Sequence, residues 1–122
     1  MTDKFQAIFE AFEKQTEAAL TKGDATAAAA LYNEHAVVVD CTESKHFYGR
    51  TEIRGMLEAF LKQGDPEPKK IGTNFFAVDE NRFLADSTLE TKHFMMTHKV
   101  LIQQLFQKKG VLWKCVYENI SV

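Results

Sequence analysis

The fold of this chain is decided by residues 71–122, which read IGTNFFAVDENRFLADSTLETKHFMMTHKVLIQQLFQKKGVLWKCVYENISV. Runs rich in β-branched and aromatic residues, separated by short polar junctions, are typical of strands. The pattern predicts four strands over Ile71–Val78, Arg82–Thr91, His93–Gln107 and Val111–Val122. Because short turns join these strands in sequence, neighbouring strands must run antiparallel.

The first half of the chain has helical spacing instead. Apolar residues recur at intervals of three and four from Phe5 to Leu20, which predicts an amphipathic first helix. Gly23 supplies a left-handed stop, and Asp24 immediately caps an alanine-rich second helix. This second helix is predicted to end near Tyr32.

A strand and a third helix follow before the strand-rich half. The run from Ala36 to Cys41 is short and β-branched, which predicts a strand, and residues 42–45 form a loop. Residues 51–62 return to helical spacing. The chain is therefore predicted to be one α+β domain over residues 1–122, with three N-terminal helices packed on a strongly curved antiparallel sheet. Helices that close one side of a curled sheet leave a cone with an open mouth, and pockets commonly lie in such places.

Composition and charge narrow the classes of function. The 122 residues carry a net charge of −2, and 45% of them are apolar, as in an ordinary globular protein. Phosphate binding needs a basic surface, so this balance argues against a nucleic-acid partner. No apolar run approaches the roughly 20 residues of a membrane span, and the N-terminus lacks the order of features that defines a signal peptide. We therefore expect no membrane association and a cytoplasmic or nucleocytoplasmic location.

Cysteine and histidine spacing points to no cofactor. Cys41 and Cys115 lie far apart without CxxC spacing, which is typical of reduced thiols in a reducing compartment. His, Cys and carboxylate residues show no zinc-like spacing, and no glycine-rich phosphate loop is present. We expect neither a metal nor an organic cofactor.

Three segments together resemble one known superfamily. Residues 22–40, containing Lys-Gly-Asp, Leu-Tyr and the strand that ends at Asp40, resemble the start of nuclear transport factor 2-like proteins. Residues 47–53, FYGRTEI, are similar to the G-[RK]-x-x-I segment that leads into the third helix of these proteins. Gly110 followed by Trp113 resembles the glycine and tryptophan that open their final strand. The resemblance covers almost the whole chain and implies the cystatin-like fold of the small, uncharacterised polyketide cyclase and ketosteroid isomerase-like branch.

The resemblance implies a fold more firmly than an activity. The superfamily includes isomerases, dehydratases, polyketide cyclases, transport adaptors and kinase association domains, so the site must be argued separately. Asp40 matches the position of the proton-shuttling carboxylate of the isomerases. Thr16 stands where those enzymes carry an oxyanion-binding tyrosine, and His98 and Lys99 stand nearest their late-strand acid. Members usually dimerise through the open sheet face, and we expect a homodimer.

Asp40 and His98 are the candidate catalytic residues. An aspartate that ends an apolar strand could face a dry cavity, where desolvation raises its pKa toward a useful value. In the third predicted strand the even-numbered residues, from Phe94 to Phe106, form the more apolar face, so His98 is predicted to point inward opposite Asp40. The alternative interpretations are a strand-end aspartate that binds a turn N–H and an ordinary core histidine.

Aromatic residues supply the candidate ligand-binding wall. Trp113, Cys115 and Tyr117 alternate onto one strand face, and Tyr32 can join that wall. Phe60 from the third helix and Thr16 from the first complete the candidate set. The alternative interpretation is ordinary aromatic core and dimer contact.

Three functional hypotheses follow. The first is a pocket protein that binds a small apolar molecule. The second is an isomerase, dehydratase or cyclase with Asp40 as general base and His98 as its partner, although strong oxyanion donors are missing. The third is a homodimeric adaptor that holds partner proteins, for which only Asp86 and Glu90 offer an acidic surface.

Overall fold

The computed structural model describes residues 2–63, 69–93 and 96–122. Its helices are α1 (Thr2–Thr21), α2 (Ala25–Ala29) and α3 (Gly49–Gln63). Its strands are β1 (Tyr32–Asp40), β2 (Lys45–Tyr48), β3 (Lys69–Asp79), β4 (Arg82–His93), β5 (Met96–Lys109) and β6 (Leu112–Ser121). The predicted α+β class is confirmed.

The strands form one curved, open sheet in the order β2-β1-β6-β5-β4-β3. Strands β3 to β6 form a meander of antiparallel neighbours, as their short turns require. The expectation of a wholly antiparallel sheet is wrong, because β1 lies beside β6 and runs parallel to it. The argument from short turns applies only to strands that follow each other directly, and α3 with several strands separates β1 from β6.

The chain between α2 and α3 departs from the predicted boundaries. The alanine-rich helix ends at Ala29 instead of near Tyr32, and β1 begins at Tyr32 instead of Ala36. Strand β2 is an additional element that pairs antiparallel with the C-terminal half of β1. Its four residues are too few to show an alternation of their own, so only the pairing with β1 reveals it.

The corners around the helices follow the predicted chemistry. Gly23 has a φ of +72°, and Asp24 accepts a 3.0 Å hydrogen bond from a backbone N–H in the first turn of α2, which confirms both predictions. At the start of α3, Gly49 has a φ of +80°. Next to it, Arg50 Nε donates a 2.8 Å hydrogen bond to the carbonyl of Tyr32. The hydrogen bond from Arg50 in the FYGRTEI segment therefore joins the start of α3 to the first residue of β1.

Helix α1 covers one face of the sheet, here called the inner face, with aromatic side chains. The Phe5 ring stacks on Phe83 with centroids 4.6 Å apart, and Phe83 stacks on Phe106 at 5.0 Å. Phe9 and Phe12 meet Phe106 edge to face at 5.9 and 4.9 Å. Such pairs each add about 0.5–1.5 kcal/mol beyond their area burial, so this aromatic core stabilises the helix on the sheet.

A bulge in β6 reverses which residues face the helices. Two adjacent residues of β5 lie opposite Cys115 and Tyr117, which leaves Val116 as an extra residue. Cys115 is fully buried on the inner face, and Tyr117 is turned to the outer face. Beyond the bulge, Glu118 is the next residue on the inner face, where it too is buried.

Candidate functional site

A cavity of about 780 Å³ opens between α1 and the inner face of the sheet, next to the aromatic core. Residues from α1, α3 and five strands line it. Its apolar wall consists of Phe9, Phe12, Leu20, Phe60, Leu89 and Ile102. This volume lies within the range of small-molecule sites in proteins, which is roughly 300–1,000 Å³.

Three polar residues, Tyr32, Gln104 and Glu118, form the floor of the cavity. Glu118 is only 5% exposed. Its Oε1 accepts a 2.8 Å hydrogen bond from the Tyr32 hydroxyl and a 2.6 Å hydrogen bond from Gln104 Nε2. Its Oε2 receives no hydrogen bond from the described residues. Every fully buried side-chain N or O atom of those residues has a partner, so Oε2 is open to the cavity that Glu118 lines.

Burial raises the pKa of Glu118 above its ordinary value of 4.5, because desolvation disfavours the charged carboxylate. The hydrogen bonds from Gln104 and Tyr32 oppose this effect, and the negative charge of Asp40 adds to it. Burial and the nearby Glu118 charge also raise the pKa of Tyr32 well above its ordinary value. The floor therefore offers a carboxyl group that can accept or donate a hydrogen bond through Oε2.

Charged residues form the rim of the cavity. These rim residues are Glu10, Glu13, Lys14 and Glu17 from α1 and Lys70 from β3. Lys70 pairs with Glu13, and its Nζ lies 4.5 Å from the centroid of the Phe9 ring. Counting Glu118, four carboxyl groups and two ammonium groups surround the cavity, so negative groups predominate.

Three of the five predicted ligand-binding residues line this cavity, namely Tyr32, Thr16 and Phe60. Tyr32 is in the floor, and Phe60 reaches the wall from α3. Thr16 is half-buried on α1, and its hydroxyl donates a 2.8 Å hydrogen bond to the carbonyl of Phe12. That these residues bind a ligand stays a prediction.

Trp113 and Tyr117, the other two, lie elsewhere. The Trp113 ring packs in the aromatic core, 5.4 Å from the centroid of Phe83. The prediction that Trp113, Cys115 and Tyr117 share one strand face is wrong at Tyr117. The bulge at Val116 shifts the alternation by one residue and turns Tyr117 outward.

Asp40 lies on the inner face at the end of β1, opposite Ile120. Its Oδ1 accepts a 3.0 Å hydrogen bond from the Thr42 backbone N–H and another from the Thr42 hydroxyl. This is the turn contact that the sequence offered as the alternative to catalysis. Asp40 is not among the residues that line the cavity, although its charge acts on Glu118.

His98 does not face Asp40, so the predicted pair is not formed. Register through β6 places Asp40 in one row with Ile102, whereas His98 lies four residues along β5. That separation is about 13 Å at the usual 3.3 Å per strand residue. His98 has the same parity along β5 as Ile102 and Gln104, but it is exposed at the N-terminal end of that strand, beyond the residues that line the cavity. Phe94, predicted on the same face, lies outside the described residues.

Glu118 and Gln104 are the residues that sequence reasoning missed as a site. Unbroken alternation from Trp113 places Glu118 on the outer face, and only the bulge brings it inside. A carboxylate within an apolar strand is a weak signal. The Glu118 carboxylate can be identified as part of a site only once the structure shows that Tyr32 and Gln104 both donate hydrogen bonds to it.

The described ranges 2–63, 69–93 and 96–122 contain no group of three or more His, Cys, Asp or Glu residues arranged to hold a metal ion. Within the same ranges, none of the helices has both the length and the apolar character that crossing a bilayer requires.

The path of the chain is similar to several solved structures. A nuclear transport factor 2-like protein of unknown function from Pseudomonas putida matches with a TM-score of 0.80 at 14% identity, over 99% of this chain and 88% of that one. An uncharacterised protein with a cystatin-like fold from Caulobacter vibrioides matches with a TM-score of 0.79 at 16% identity, over 95% and 87% of the two chains. A nuclear transport factor 2-like protein of unknown function from Shewanella oneidensis matches with a TM-score of 0.70 at 18% identity, over 96% and 98%.

These likenesses define the class of fold. The chain has the nuclear transport factor 2-like, or cystatin-like, fold, as the resemblance in residues 22–40 and 47–53 predicted. No protein-family model and no curated protein sequence matches the chain. At identities this low the likeness establishes the fold and leaves the activity to be argued from the site.

Proposed function

We propose that residues 1–122 form a single nuclear transport factor 2-like domain that binds a small apolar molecule inside its cone. The observation that carries this proposal is the cavity of about 780 Å³ with an apolar wall and one buried, hydrogen-bonded carboxyl group in its floor. Mostly apolar clefts with a few convergent polar groups are the usual form of small-molecule sites.

The energetics favour an apolar ligand. Removing apolar surface from water contributes roughly 25 cal/mol per Å², so a ligand that buries about 200 Å² gains about 5 kcal/mol before association costs. The floor then orients the polar end of the ligand. Tyr32 and Gln104 hold Glu118 from one side, so its free oxygen has a defined direction.

Neutral apolar probes test this proposal directly. Octanol and naphthol are expected to raise the melting temperature of the protein and to bind measurably by isothermal titration calorimetry. Thr16→Trp places a large ring in the cavity and is expected to abolish binding. Gln15→Trp makes the same change at an exposed position of α1 outside the cavity lining and should leave binding intact. Absence of binding to the unmodified protein, or equal binding by Thr16→Trp, would contradict the proposal.

An isomerase, dehydratase or cyclase activity with Asp40 as general base is a second proposal. Its support is the inner-face position of Asp40 and its electrostatic influence on Glu118. A base of this kind should catalyse exchange of the protons next to the carbonyl of bound octanone in deuterated water, followed by NMR. Asp40→Asn is expected to stop that exchange, whereas Asp86→Asn, on the outer face, should not. No exchange above the buffer rate would reject this activity.

We further propose that two copies associate through the outer face of the sheet. Register aligns one row of apolar side chains across all six strands of that face, consisting of Phe76, Leu84, Leu105, Tyr117, Val37 and Tyr48. Phe76 and Tyr48, at its two ends, are largely exposed. A continuous apolar row of this kind suits a self-complementary contact between two copies.

Light scattering coupled to size-exclusion chromatography tests this association. The protein is expected to elute as a dimer, and Leu105→Glu, which places a charge in the middle of the row, is expected to give a monomer. Thr26→Glu adds the same charge on α2, away from the row, and should leave the dimer intact. A monomeric unmodified protein at micromolar concentration would contradict the proposal.

A further inference from the structure

We propose that the site selects positively charged amphiphiles, in which an apolar body carries one ammonium group that binds Glu118. This inference deepens the proposed function and rests on it, because it needs the same cavity. The feature that motivates it is the juxtaposition of an apolar wall with a buried carboxyl group whose Oε2 is open to the interior.

The hydrogen bonds of Glu118 favour a donor on the ligand. Tyr32 and Gln104 both donate to Oε1, and these two hydrogen bonds stabilise the carboxylate form against the opposing effect of burial. Oε2 is then an acceptor without a donor among the described residues. An ammonium group supplies both the hydrogen bond and the opposite charge, and charge-assisted bonds are about twice as strong as neutral ones.

The balance of charge around the cavity points in the same direction. At the rim, Glu10, Glu13 and Glu17 outnumber Lys14 and Lys70, and Lys70 is already paired with Glu13. A carboxylate ligand would meet repulsion from both the rim and the floor, whereas a cation is attracted to both. The site therefore disfavours fatty-acid-like anions.

The wall itself already accommodates an ammonium group. Lys70 Nζ lies 4.5 Å from the centroid of the Phe9 ring, within the distance at which a cation is attracted to an aromatic face. Phe12 also lines the cavity and presents a second ring. Aromatic walls and carboxylates together are a favourable setting for an amine.

A neutral ligand leaves the buried Glu118 carboxylate without a counter-charge, and an amine supplies one. A carboxylate held out of water without a counter-charge is destabilised, and a cation delivered by the ligand compensates it. An alcohol of the same length gains the apolar burial and one hydrogen bond to the carboxylate, but it brings no positive charge. The amine is therefore expected to bind more tightly than the alcohol by about tenfold or more.

Matched probes separate this inference from the proposed function. Octylamine, octanol and octanoate have the same apolar chain and differ in the charge of the polar end. Titration calorimetry at neutral pH is expected to rank octylamine first, octanol second and octanoate last. Equal binding of octylamine and octanol would overturn the inference and leave the proposed pocket function standing. Failure of all three to bind would overturn both.

Three variants test whether Glu118 is the source of the preference for octylamine. Glu118→Gln is expected to bring octylamine and octanol to similar affinities while octanol binding persists. Glu17→Gln, at an exposed rim position that cannot disturb the floor, should lower the preference for octylamine by about twofold, since surface charges are screened. Glu58→Gln, on α3 outside the cavity lining, should change nothing. Full selectivity in Glu118→Gln would overturn the inference. If that variant fails to fold, equal binding of the amine and the alcohol to the unmodified protein would still do so.

Discussion

Tyr32 and Glu118 are separated by 86 residues in sequence and share a 2.8 Å hydrogen bond in the floor of the cavity. The parallel pairing of β1 with β6 brings them together, and Arg50 holds the carbonyl of Tyr32 at the same time. The floor of the cavity therefore combines a residue of β1, which precedes α3 in the sequence, with a residue of β6, the last strand.

The stability of the protein should depend on pH through Glu118. The pKa of Glu118 is higher in the folded than in the unfolded chain because of burial, so the folded state retains the proton to higher pH. The resulting stability is fully present below pH 4.5, the ordinary value, and is lost as pH rises through the folded-state pKa. In urea unfolding at a series of pH values, the stability of Glu118→Gln relative to the unmodified protein should therefore increase with pH over that window. A difference that is constant with pH would show that burial does not perturb this carboxyl group.

Two glycines of α3 should respond oppositely to alanine. Gly49→Ala forces a side chain into the left-handed region at φ +80° and is expected to destabilise the protein by about 1–2 kcal/mol. Gly55→Ala lies inside the helix, where an added Cβ meets none of the described residues within 4 Å, and should stabilise by about 0.5–1 kcal/mol. Thermal unfolding of the two variants measures both effects, and changes of the same sign would contradict the account of the helix start.

The aromatic core should be the main source of stability. Phe83 is fully buried between Phe5 and Phe106, so Phe83→Ala is expected to cost about 3–5 kcal/mol. Val111→Ala trims an apolar side chain at a position that is 87% exposed and should cost roughly 1 kcal/mol or less. Denaturant unfolding compares the two variants. Similar losses would mean that the Phe83 stack is not the centre of the core.

The two cysteines should differ in reactivity. Cys41 is exposed, whereas Cys115 is buried, and burial raises the pKa of its thiol well above the usual range. A chromogenic disulfide reagent is expected to label one thiol of the folded protein quickly and the second only after denaturation. Cys41→Ser should remove the fast phase, and a remaining fast phase would place Cys115 within reach of solvent.

Local chemistry made much of the fold predictable. Periodicity located α1 and the four strands of the meander. The corner at Gly23 and Asp24 was predictable because a left-handed backbone favours glycine and a helix N-terminus favours aspartate. Strand β2 could not be predicted from the sequence, since four residues are too few to show a periodicity. The parallel partner of β1 was equally hidden, because nothing local tells a strand which distant strand it will join.

The residues of the candidate site were also predictable only in part. Tyr32, Thr16 and Phe60 were found from their types and their place in the fold, and each of them lines the cavity. Asp40 and His98 were paired by assuming that one face of a strand is uniformly buried, whereas the exposed end of β5 separates them.

The sequence by itself determined the class of the fold, the helical corner and the aromatic residues available for a core, because these depend on propensities and spacing within short segments. Only the tertiary structure decided which carboxyl group faces the interior. One extra residue at Val116 shifts the alternation of β6, and a shift of one residue moves every following side chain to the other face. Glu118, rather than Tyr117, therefore meets Tyr32 and Gln104 inside the cavity.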